Sequence, residues 1–438
     1  MWLFVAFLLI RTGLKLIDKK AVQNILKRGV KGIIVEEELV KLLQSGRSLK
    51  LKMGFDPSRP DIHLGHVVGL RKLRQFQALG HQVILIVGDW TAQIGDPSGQ
   101  SVTRPMLTHQ EVIDNADSYM RQFFKVVDRD KTRVVWQSEW FGKFTLADVI
   151  SLTRKFTVAQ FLEREDFSQR FRSGQPIAIT ELLYPLLQAY DSIAVEADVE
   201  FGGTDQTFNL LVGRDLQVIL GQPPQQCFFM PILVGTDGVQ KMSKSLNNYI
   251  AVEDPPNDMY GKVMSIPDSV MMDYFEWLTD VGDDELSLMR RELADASVNP
   301  MNLKKKLANN ITAQFHSADE AGRAQDHFER VVQRSEAPED VREVALTTLL
   351  KDIWHGEKSK PIDVDVSSTV ELPPNLILFY AGLTSSKGEA RRLIAQGAVE
   401  VNGKTLDPDI ALLAIDVGTT IKVGKRRFVS VTRDSSNS

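Results

Sequence analysis

Residues 49–89 read LKLKMGFDPSRPDIHLGHVVGLRKLRQFQALGHQVILIVGD, and this stretch indicates the fold class of the chain. It predicts a strand over residues 49–55, a helix over residues 63–79 and a second strand over residues 81–89. The second strand is a continuous apolar run, which is typical of a parallel sheet covered on both faces. Such sheets bind ligands at the carboxyl ends of their strands. The loops DPSRPDIH and GDWTAQIGDPSG are therefore candidate parts of a site.

The rest of the chain continues this alternation and then changes pattern twice. Further helices and strands are predicted over residues 110–127, 133–137, 146–163, 179–190 and 227–234, with another strand ending at FGGTDQ. A mostly helical stretch then leads to a connector rich in proline, serine and acidic residues, and to a compact tail with an Asn-Gly turn. We predict an α/β protein with an N-terminal extension at 1–34, a Rossmann-like parallel-sheet domain at 35–266, a helical domain at 267–355, a linker at 356–371 and a small α+β domain at 372–438.

Composition limits the classes of protein that remain. With 438 residues, 43% of them hydrophobic, the chain can bury large cores. A net charge of −5 argues against an overall basic coat for nucleic acid, so any RNA site must be local. The one cysteine, Cys227, cannot form an internal disulfide, which suits the cytoplasm.

The first ten residues, MWLFVAFLLI, are all apolar. A membrane span needs about 20 apolar residues, and this segment also lacks the basic start and the cleavage pattern of a signal peptide. We expect an N-terminal appendage or an upstream start codon and no membrane partner, with a signal or membrane association as the alternative.

The segment DIHLGH, residues 61–66, places His63 and His66 three positions apart at the start of a predicted helix. Both imidazoles can then lie beside a helix N-terminus, where anions are favoured, and Gly65 allows close approach of a nucleotide. Taken alone, the pair could equally be ordinary capping or surface histidines.

The segment KMSKS, residues 241–245, carries Lys241 and Lys244 on a loop after an apolar strand. Two ammonium groups separated by small polar residues can bind a triphosphate. Alone, they could be a solvated pair of lysines. The two segments together, in this order on one α/β scaffold, are far more specific than either one.

HLGH and KMSKS resemble the two defining motifs of class I aminoacyl-tRNA synthetases. A GxxxxGK[ST] phosphate loop does not occur in the sequence. Small nucleotidyltransferases share HxGH, but KMSKS and the chain length argue against them. Within the class, GFDPSRPDIHLGH (54–66), ELLYPLLQAYDS (181–192) and FGGTDQTFN (201–209) resemble tyrosyl-tRNA synthetases of bacterial type. Tryptophanyl enzymes and a catalytically silent RNA-binding relative are the alternatives.

The resemblance implies an enzyme that activates tyrosine with ATP and transfers it to tRNA(Tyr). It implies that Asp191 accepts a hydrogen bond from the substrate phenol and that Tyr184 and Gln188 contact the α-ammonium. The implied catalytic residues are His63, His66, Arg104, Lys241 and Lys244. The implied ATP-binding residues are Asp56, Ser58, His63, Gly65, His66, Asp205, Lys241, Met242, Ser243, Lys244 and Ser245. The implied tyrosine-binding residues are Gly54, Asp96, Tyr184, Gln188, Asp191 and Gln206. No metal-ligand cluster is expected, and Mg²⁺ would arrive on ATP or pyrophosphate.

Two positions depart from the pattern common in that family. Lys52 stands where many members have a tyrosine that makes a second contact to the substrate hydroxyl. Gln100 stands where a lysine is common, so the loop that carries Arg104 supplies one fewer positive charge. The first departure raises the question of whether Lys52 replaces the missing phenol contact.

The tail resembles a small RNA-binding domain shared with a ribosomal protein of the small subunit. Lys387, Arg391 and Arg392 match its basic helix, and this spacing suits an RNA phosphate backbone. The resemblance implies that these residues bind tRNA(Tyr), that 267–355 is the anticodon-region domain, and that the enzyme is a homodimer.

Overall fold

The structure is a computed structural model that describes residues 19–58, 61–98, 108–295, 298–333, 342–357, 369–424 and 427–433. The chain divides into two compact units, Met1–Ala321 and Gly322–Ser438. The apolar first ten residues, for which the sequence predicts an appendage, lie outside the described residues. Within the described ranges, no helix is both long enough and apolar enough to cross a membrane.

The first unit contains a layered arrangement of helices and one sheet. Its strands are β1 (Gly32–Ile34), β2 (Lys50–Phe55), β3 (Gln82–Val87), β4 (Thr132–Trp136), β5 (Val199–Gly203) and β6 (Gln226–Met230). Its helices are α1 (Lys19–Lys27), α2 (Glu36–Gln44), α3 (Leu64–Ala78), α4 (Thr91–Ile94), α5 (His109–Phe123), α6 (Ser138–Phe141), α7 (Leu146–Thr153), α8 (Val158–Phe161), α9 (Glu165–Arg172), α10 (Ile179–Val195), α11 (Thr207–Ile219), α12 (Pro256–Met264), α13 (Asp268–Leu278), α14 (Asp283–Ala294) and α15 (Pro300–Phe315). The next helix, α16 (Ala318–Phe328), contains the boundary between the two units. Short 3₁₀ turns occupy Arg129–Lys131 and Thr204–Gln206.

The sheet has the strand order β1-β6-β5-β2-β3-β4. β2 to β6 run parallel to their neighbours, whereas β1 pairs antiparallel with β6 at one edge. All residues of β3 from Val83 to Val87 are buried, which means that both faces of the sheet are covered. The prediction of a Rossmann-like parallel sheet is confirmed. The chain order reverses between β2 and β5, and such a switch point is where ligands bind in this kind of sheet.

The prediction of one helix over residues 146–163 is wrong. α7 ends at Thr153, and α8 begins at Val158. Between them, Thr157 Oγ1 accepts from the Gln160 amide at 3.3 Å, and the Gln160 side chain accepts from the Thr157 amide at 2.8 Å. This capping box starts a new helix inside a stretch whose apolar pattern reads as continuous.

The described part of the predicted extension, residues 19–34, packs into the first unit. β1 adds to the sheet, and α1 buries Val22, Ile25 and Leu26. Lys72 Nζ donates to Ile25 O at 2.9 Å and to Arg28 O at 2.7 Å. These bonds satisfy carbonyl groups at the end of α1, so the N-terminal helix is tied to α3.

The second unit packs helices against a five-stranded sheet in the order β10-β9-β12-β13-β7, beside a separate β8-β11 pair. Its elements are a π-helical segment (Glu329–Gln333), β7 (Arg342–Ala345), α17 (Leu346–Glu357), β8 (Val370–Leu372), α18 (Pro374–Tyr380), α19 (Lys387–Ala395), β9 (Val399–Val401), β10 (Lys404–Thr405), β11 (Leu413–Ile415), β12 (Thr420–Val423) and β13 (Arg427–Thr432). The predicted Asn-Gly turn is present: Val401 pairs with Lys404, and Asn402 and Gly403 have φ values of 51° and 75°.

The second unit begins earlier than the sequence boundaries at 355 and 372 place it. β7 pairs parallel with β13, and Leu346, Leu350 and Ile353 of α17 lie in the same core as α18 and α19. A local pattern shows that residues 346–357 form an amphipathic helix, but it does not show which core the apolar face covers.

Candidate active site

The DIHLGH segment starts α3, with His63 as its N-cap residue. His63 Nδ1 accepts from the Gly65 amide at 3.2 Å, and His66 Nδ1 accepts from the His63 amide at 3.3 Å. A Cβ at position 65 would stand 2.9 Å from the His63 ring, which favours glycine there. Since each Nδ1 is an acceptor, the proton of each neutral ring is on Nε2.

Burial and nearby lysines keep both histidines uncharged. Burial, followed by His66, Lys244 and Lys241, lowers the pKa of His63 well below its usual value. Burial, followed by Lys244 and Lys241, lowers the pKa of His66 to about 3. At neutral pH both rings are therefore Nε2–H donors beside the N-terminus of a long helix.

The KMSKS segment follows a tight hairpin whose ends form a bridge between Val234 and Lys241. Met242 is buried, and its amide donates to Leu233 O at 2.8 Å. The methionine is thus the anchor of the loop, while Lys241 is more than half exposed.

The side chain of Asn248 fixes the conformation of this loop through hydrogen bonds. Its Oδ1 accepts from the Ser243 amide at 2.8 Å, and its Nδ2 donates to Asp237 Oδ2 at 2.7 Å and to Lys241 O at 3.1 Å. Within the loop, the Ser243 and Ser245 hydroxyl oxygens are 2.8 Å apart. Because Asn248 is itself buried, these bonds fix the backbone that carries both lysines.

The two motifs lie side by side although they are far apart in sequence. The segment after KMSKS pairs with DIHLGH through a bridge between His63 and Ala251, and the Leu64 amide donates to Ile250 O at 3.0 Å. The structure therefore brings the predicted histidine and lysine pairs together.

The lysine side chains have partners within the site. Lys241 forms an ion pair with Asp205, which follows β5. Lys244 Nζ lies 5.3 Å from the ring centroid of Tyr119, on α5. Lys241 and Lys244 are both close enough to the two histidines to lower the pKa of His63 and of His66.

Asp56 stands at the carboxyl end of β2 and binds two hydroxyl groups. Thr91 Oγ1 donates to its Oδ1 at 2.7 Å, and Tyr184 OH donates to its Oδ2 at 2.8 Å. Beside it, a Cβ at Gly54 would meet no atom within 4 Å, so there is open space at the strand end. The Ser58 side chain is exposed at the same loop, where its amide donates to Asp56 O at 2.7 Å.

Asp191 on α10 is a buried carboxylate, only 2% exposed. It accepts hydrogen bonds from Gln137 Nε2 at 2.8 Å and from Trp140 Nε1 at 3.2 Å, both from the segment after β4. Burial raises the pKa of Asp191 to about 8, against the opposing effects of Lys52 and these two donors. Tyr184 and Asp191 are both buried on α10, as expected for one helix face.

Gln188, the third residue of that face, binds a second buried acid. Its Nε2 donates to Glu200 Oε1 at 3.0 Å. Lys52 Nζ is 2.8 Å from the same oxygen, and neither Lys52 nor Glu200 is more than 1% exposed. The lysine that replaces the family tyrosine is therefore part of a buried ion pair.

The loops after β3 and β5 meet through Asp96 and Gln206. Gln206 Nε2 donates to Asp96 Oδ2 at 2.7 Å, and Asn209 Nδ2 donates to Gln206 Oε1 at 2.9 Å. Arg104 and Gln100 lie outside the described residues. In the part of the chain that is described, no group of three or more His, Cys, Asp and Glu side chains converges as a metal site.

Comparison with known proteins decides the family. The family profile "tRNA synthetases class I (W and Y)" matches residues 44–333. The tyrosine–tRNA ligase of Dehalococcoides mccartyi (strain CBDB1) is 55% identical over 411 residues, which is 94% of this chain and 98% of that relative. The chain belongs to the tyrosine–tRNA ligase family. The family member of Thermotoga maritima is 47% identical over 409 residues, 93% of this chain and 96% of that relative.

Solved structures of tyrosyl-tRNA synthetases share the fold. The enzyme of Archaeoglobus fulgidus, complexed with L-tyrosine, has a TM-score of 0.57 and 24% identity, covering 69% of this chain and 98% of that chain. A C-terminally truncated mitochondrial enzyme of Aspergillus nidulans has a TM-score of 0.58 and 20% identity, covering 70% and 92%.

The tail of this tyrosine–tRNA ligase family member matches the profile "S4 domain" over residues 375–412. Of the basic residues predicted there, Arg391 and Arg392 are exposed on α19, while Lys387 forms an ion pair with Glu357 of α17.

Sequence reasoning missed the residues that support Asp191 and Lys52 in the candidate site. Gln137 and Trp140 carry no local signal, because they reach Asp191 from a strand end far along the chain. Glu200 does carry a local signal in the sequence. It interrupts an apolar strand as Lys52 does, and opposite charges in two strands that are both expected to be buried indicate an ion pair.

Proposed function

We propose that this chain activates L-tyrosine with ATP to tyrosyl-adenylate and transfers the tyrosyl group to the 3′-terminal ribose of tRNA(Tyr). One arrangement carries the proposal: DIHLGH pairs with the segment after KMSKS, and Gln137 and Trp140, which follow β4 of the same sheet, hold the buried carboxylate of Asp191 on α10. The Nε2–H groups of uncharged histidines and the ammonium groups of lysines can bind a triphosphate. A buried carboxylate can accept a hydrogen bond from a phenol. The family membership supports both halves.

In the first step, an oxygen of the tyrosine carboxylate attacks the α-phosphorus of ATP. The new bond makes a mixed anhydride, and the bond to the bridging oxygen breaks so that its electron pair leaves with pyrophosphate. The carboxylate is ionised at neutral pH, so no protein base is needed. His63 and His66 donate from Nε2, and Arg104, Lys241 and Lys244 bind the departing phosphates. Because negative charge grows on the leaving group, these donors act mainly in the transition state.

The loops around the same edge supply the remaining nucleotide contacts. The residues proposed for them are Asp56, Ser58, Gly65, Asp205, Met242, Ser243 and Ser245. Lys241 would exchange its ion pair with Asp205 for a phosphate oxygen when ATP binds. Mg²⁺ would enter on the phosphate oxygens, since it keeps several waters and commonly binds through substrate phosphates. There it would neutralise charge on the nucleotide.

The tyrosine pocket binds the substrate at its two polar ends. Asp191 accepts a hydrogen bond from the phenol, in addition to the two donors it already holds, because a carboxylate has about four acceptor sites. The residues proposed for the α-ammonium end and its surroundings are Gly54, Asp96, Tyr184, Gln188 and Gln206. Asp96, which accepts from Gln206 Nε2, would supply negative charge for the α-ammonium group.

The second step needs tRNA, and the second unit is proposed to bind it. A terminal ribose hydroxyl attacks the adenylate carbonyl, and AMP leaves. Exposed Arg391 and Arg392, with Lys387, form a local basic surface for RNA phosphates although the net charge of the chain is −5. Since tRNA charging serves protein synthesis, we expect the enzyme in the cytoplasm, in agreement with its buried free thiol at Cys227.

A homodimer is also proposed. Leu146, Ile150, Val158 and Ile179 are each more than half exposed, and they come from helices α7, α8 and α10, which share one core. Several large apolar side chains exposed on one helical cluster are typical of a protein interface.

ATP–pyrophosphate exchange tests the function directly. The purified chain should exchange pyrophosphate with tyrosine far better than with tryptophan or phenylalanine, and it should charge tRNA(Tyr). A preference for tryptophan would assign it to the other branch of the class, and no exchange with any amino acid would indicate a silent RNA-binding protein.

A further inference from the structure

Lys52 and Glu200 face each other on the two central strands of the sheet. They are register neighbours in the parallel pair of β2 and β5. Their side chains are 0% and 1% exposed, and the ammonium nitrogen lies 2.8 Å from Glu200 Oε1. A buried ion pair costs desolvation energy, and truncating one partner leaves an uncompensated charge.

The hydrogen bonds of Lys52 are fully used within the protein. Its Nζ contacts Glu200, donates to Gln188 O at 2.8 Å and donates to Ser192 Oγ at 2.7 Å. An ammonium group has three N–H bonds, and each has an acceptor here. No donor is left for a substrate phenol.

Glu200 is equally saturated. Oε1 accepts from Lys52 and from Gln188 Nε2 at 3.0 Å, and Oε2 accepts from Ser192 Oγ at 3.2 Å and Gln225 Nε2 at 2.5 Å. About four acceptor sites are available on a carboxylate, and all are occupied. The pair is thus one closed network rather than a substrate contact.

The network is bonded to the turn of α10 that carries Gln188 and Asp191, the side chains proposed to face the substrate. Gln188 and Ser192 are its two attachment points on the helix, and Asp191 lies between them. We propose that Lys52 is a specificity-determining positioning residue of the tyrosine pocket, which fixes this turn and supplies the counter-charge to Asp191 without touching the substrate. This inference rests on tyrosine being the substrate, as proposed above.

The charges around Asp191 come from three elements. Lys52 on β2 favours its anionic form, and Glu200 on β5 opposes it. Tyr184, on the same helix, binds Asp56, and it also faces Asp96 and Asp191. The donors Gln137 and Trp140 are uncharged. Lys52 is therefore the cation that favours the ionised form of Asp191.

The test is Lys52→Met, with pyrophosphate exchange measured for tyrosine and phenylalanine across pH. The tyrosine-to-phenylalanine ratio of kcat/KM should rise with pH as Asp191 ionises, and in the variant this rise should move upward by about one pH unit or more. A shift of one unit leaves about tenfold less of the ionised form below the midpoint, so the ratio near pH 7 should fall about tenfold. KM for ATP should stay unchanged.

Lys50→Met is the matched control. It makes the same change two residues earlier on β2, where Lys50 pairs with Glu196 at 2.8 Å on the surface. This variant should keep the parent profile. Lys52→Met/Glu200→Gln removes both buried charges, and its profile should lie between those of the parent and the single variant.

Each outcome decides the inference. If Lys52 touched the phenol, Lys52→Met would lower the ratio by one factor at every pH and leave the rise in place, which would overturn it. If the role of Lys52 were purely structural, Lys52→Met would impair kcat/KM for tyrosine and for ATP together. That outcome would also overturn the inference. If Lys52→Met does not fold, a double variant whose profile coincides with the parent's also overturns it. A parent that fails to activate tyrosine refutes the proposed function instead.

Discussion

Asp191→Asn removes a single charge from the pocket and keeps its shape. In the parent, one carboxylate oxygen of Asp191 accepts from Gln137 and the other from Trp140, so both oxygens have room for one more donor. The amide has only one oxygen, and its NH₂ group must face one of these donors. The variant therefore offers a substrate phenol at best a neutral amide oxygen, which is a weaker acceptor than a carboxylate, and it leaves one of the two donors facing an NH₂ group.

The size of the effect follows from the charge on the acceptor. A hydrogen bond to a charged group contributes about 1.5 to 3 kcal/mol. At about 1.4 kcal/mol for each tenfold change, the loss of this charged hydrogen bond should lower kcat/KM for tyrosine about 10- to 150-fold at a pH above 8, where Asp191 is ionised. Phenylalanine, which makes no such bond, should be affected much less. The tyrosine-to-phenylalanine ratio should therefore fall by most of that factor.

The pH dependence gives the same reasoning a second test. Burial raises the pKa of Asp191 to about 8, so the protonated form predominates below that pH and the anionic acceptor above it. Activation of tyrosine relative to phenylalanine should rise with pH through a midpoint near this value. Because both substrates carry the same α-amino and carboxyl groups, their ratio removes those ionisations from the profile. The rise should be absent from Asp191→Asn.

Asp89→Asn is the control for this substitution. Asp89 is another buried aspartate close by, and its Oδ1 accepts from the Ser138 amide, next to Gln137. The change should leave the substrate ratio and its pH profile as in the parent. An Asp191→Asn variant that kept the parent's ratio, or the parent's rise with pH, would refute the role of a charged acceptor.

Four further predictions concern the residues proposed to bind ATP and the C-terminal unit. Lys244→Ala should slow adenylate formation about 10²- to 10³-fold in rapid-quench assays at saturating ATP, with tyrosine affinity unchanged; a defect that vanished at high ATP would indicate ground-state binding instead. Asn248→Ala should slow the same step about tenfold and keep the substrate ratio, because buried groups of the KMSKS loop lose their partner; a parent-like rate would show that the loop needs no such tie. Burial holds the pKa of His66 at about 3, so kcat/KM for ATP should show no limb between about pH 6 and 7; a limb there that His66→Asn abolished would contradict this. A chain ending at residue 333 should keep adenylate formation and lose tRNA charging, whereas one ending at residue 371 should aggregate because it exposes the apolar face of α17; equal loss of both activities in the shorter chain would give the tail a role in the fold.

The parallel sheet was predictable because its signal is local. A strand buried on both faces must be apolar at every position, as Val83 to Val87 are, and no other part of the fold is needed to see it. The Asn-Gly turn at residues 402–403 is local for the same reason, since positive φ values favour these residues. The break between α7 and α8 shows the limit of this approach. An apolar helical pattern continues through residue 157, but the capping box of Thr157 and Gln160 separates two helices there.

Non-local pairing explains what the sequence did not show. β7 joins β13, and α17 covers the core of the second unit, although both are adjacent in sequence to the helical region. The same holds for the site. The positions of DIHLGH and KMSKS follow from motifs, but the bonds from Gln137 and Trp140 to Asp191 depend on where the end of β4 lies beside α10.

The raised pKa of Asp191 connects selectivity to the cost of burying a charge. An ionised carboxylate that faces phenylalanine has two donors but no phenol, and it cannot be solvated by water in a filled pocket. Because its pKa is about 8, Asp191 can instead take up a proton near neutral pH, and this lowers the free-energy cost of binding phenylalanine. Any cation that favours the anionic form therefore increases the penalty for phenylalanine as well as the affinity for tyrosine. In this pocket that cation is Lys52, and a lysine at the position of the family tyrosine can thus support selectivity without contacting the phenol.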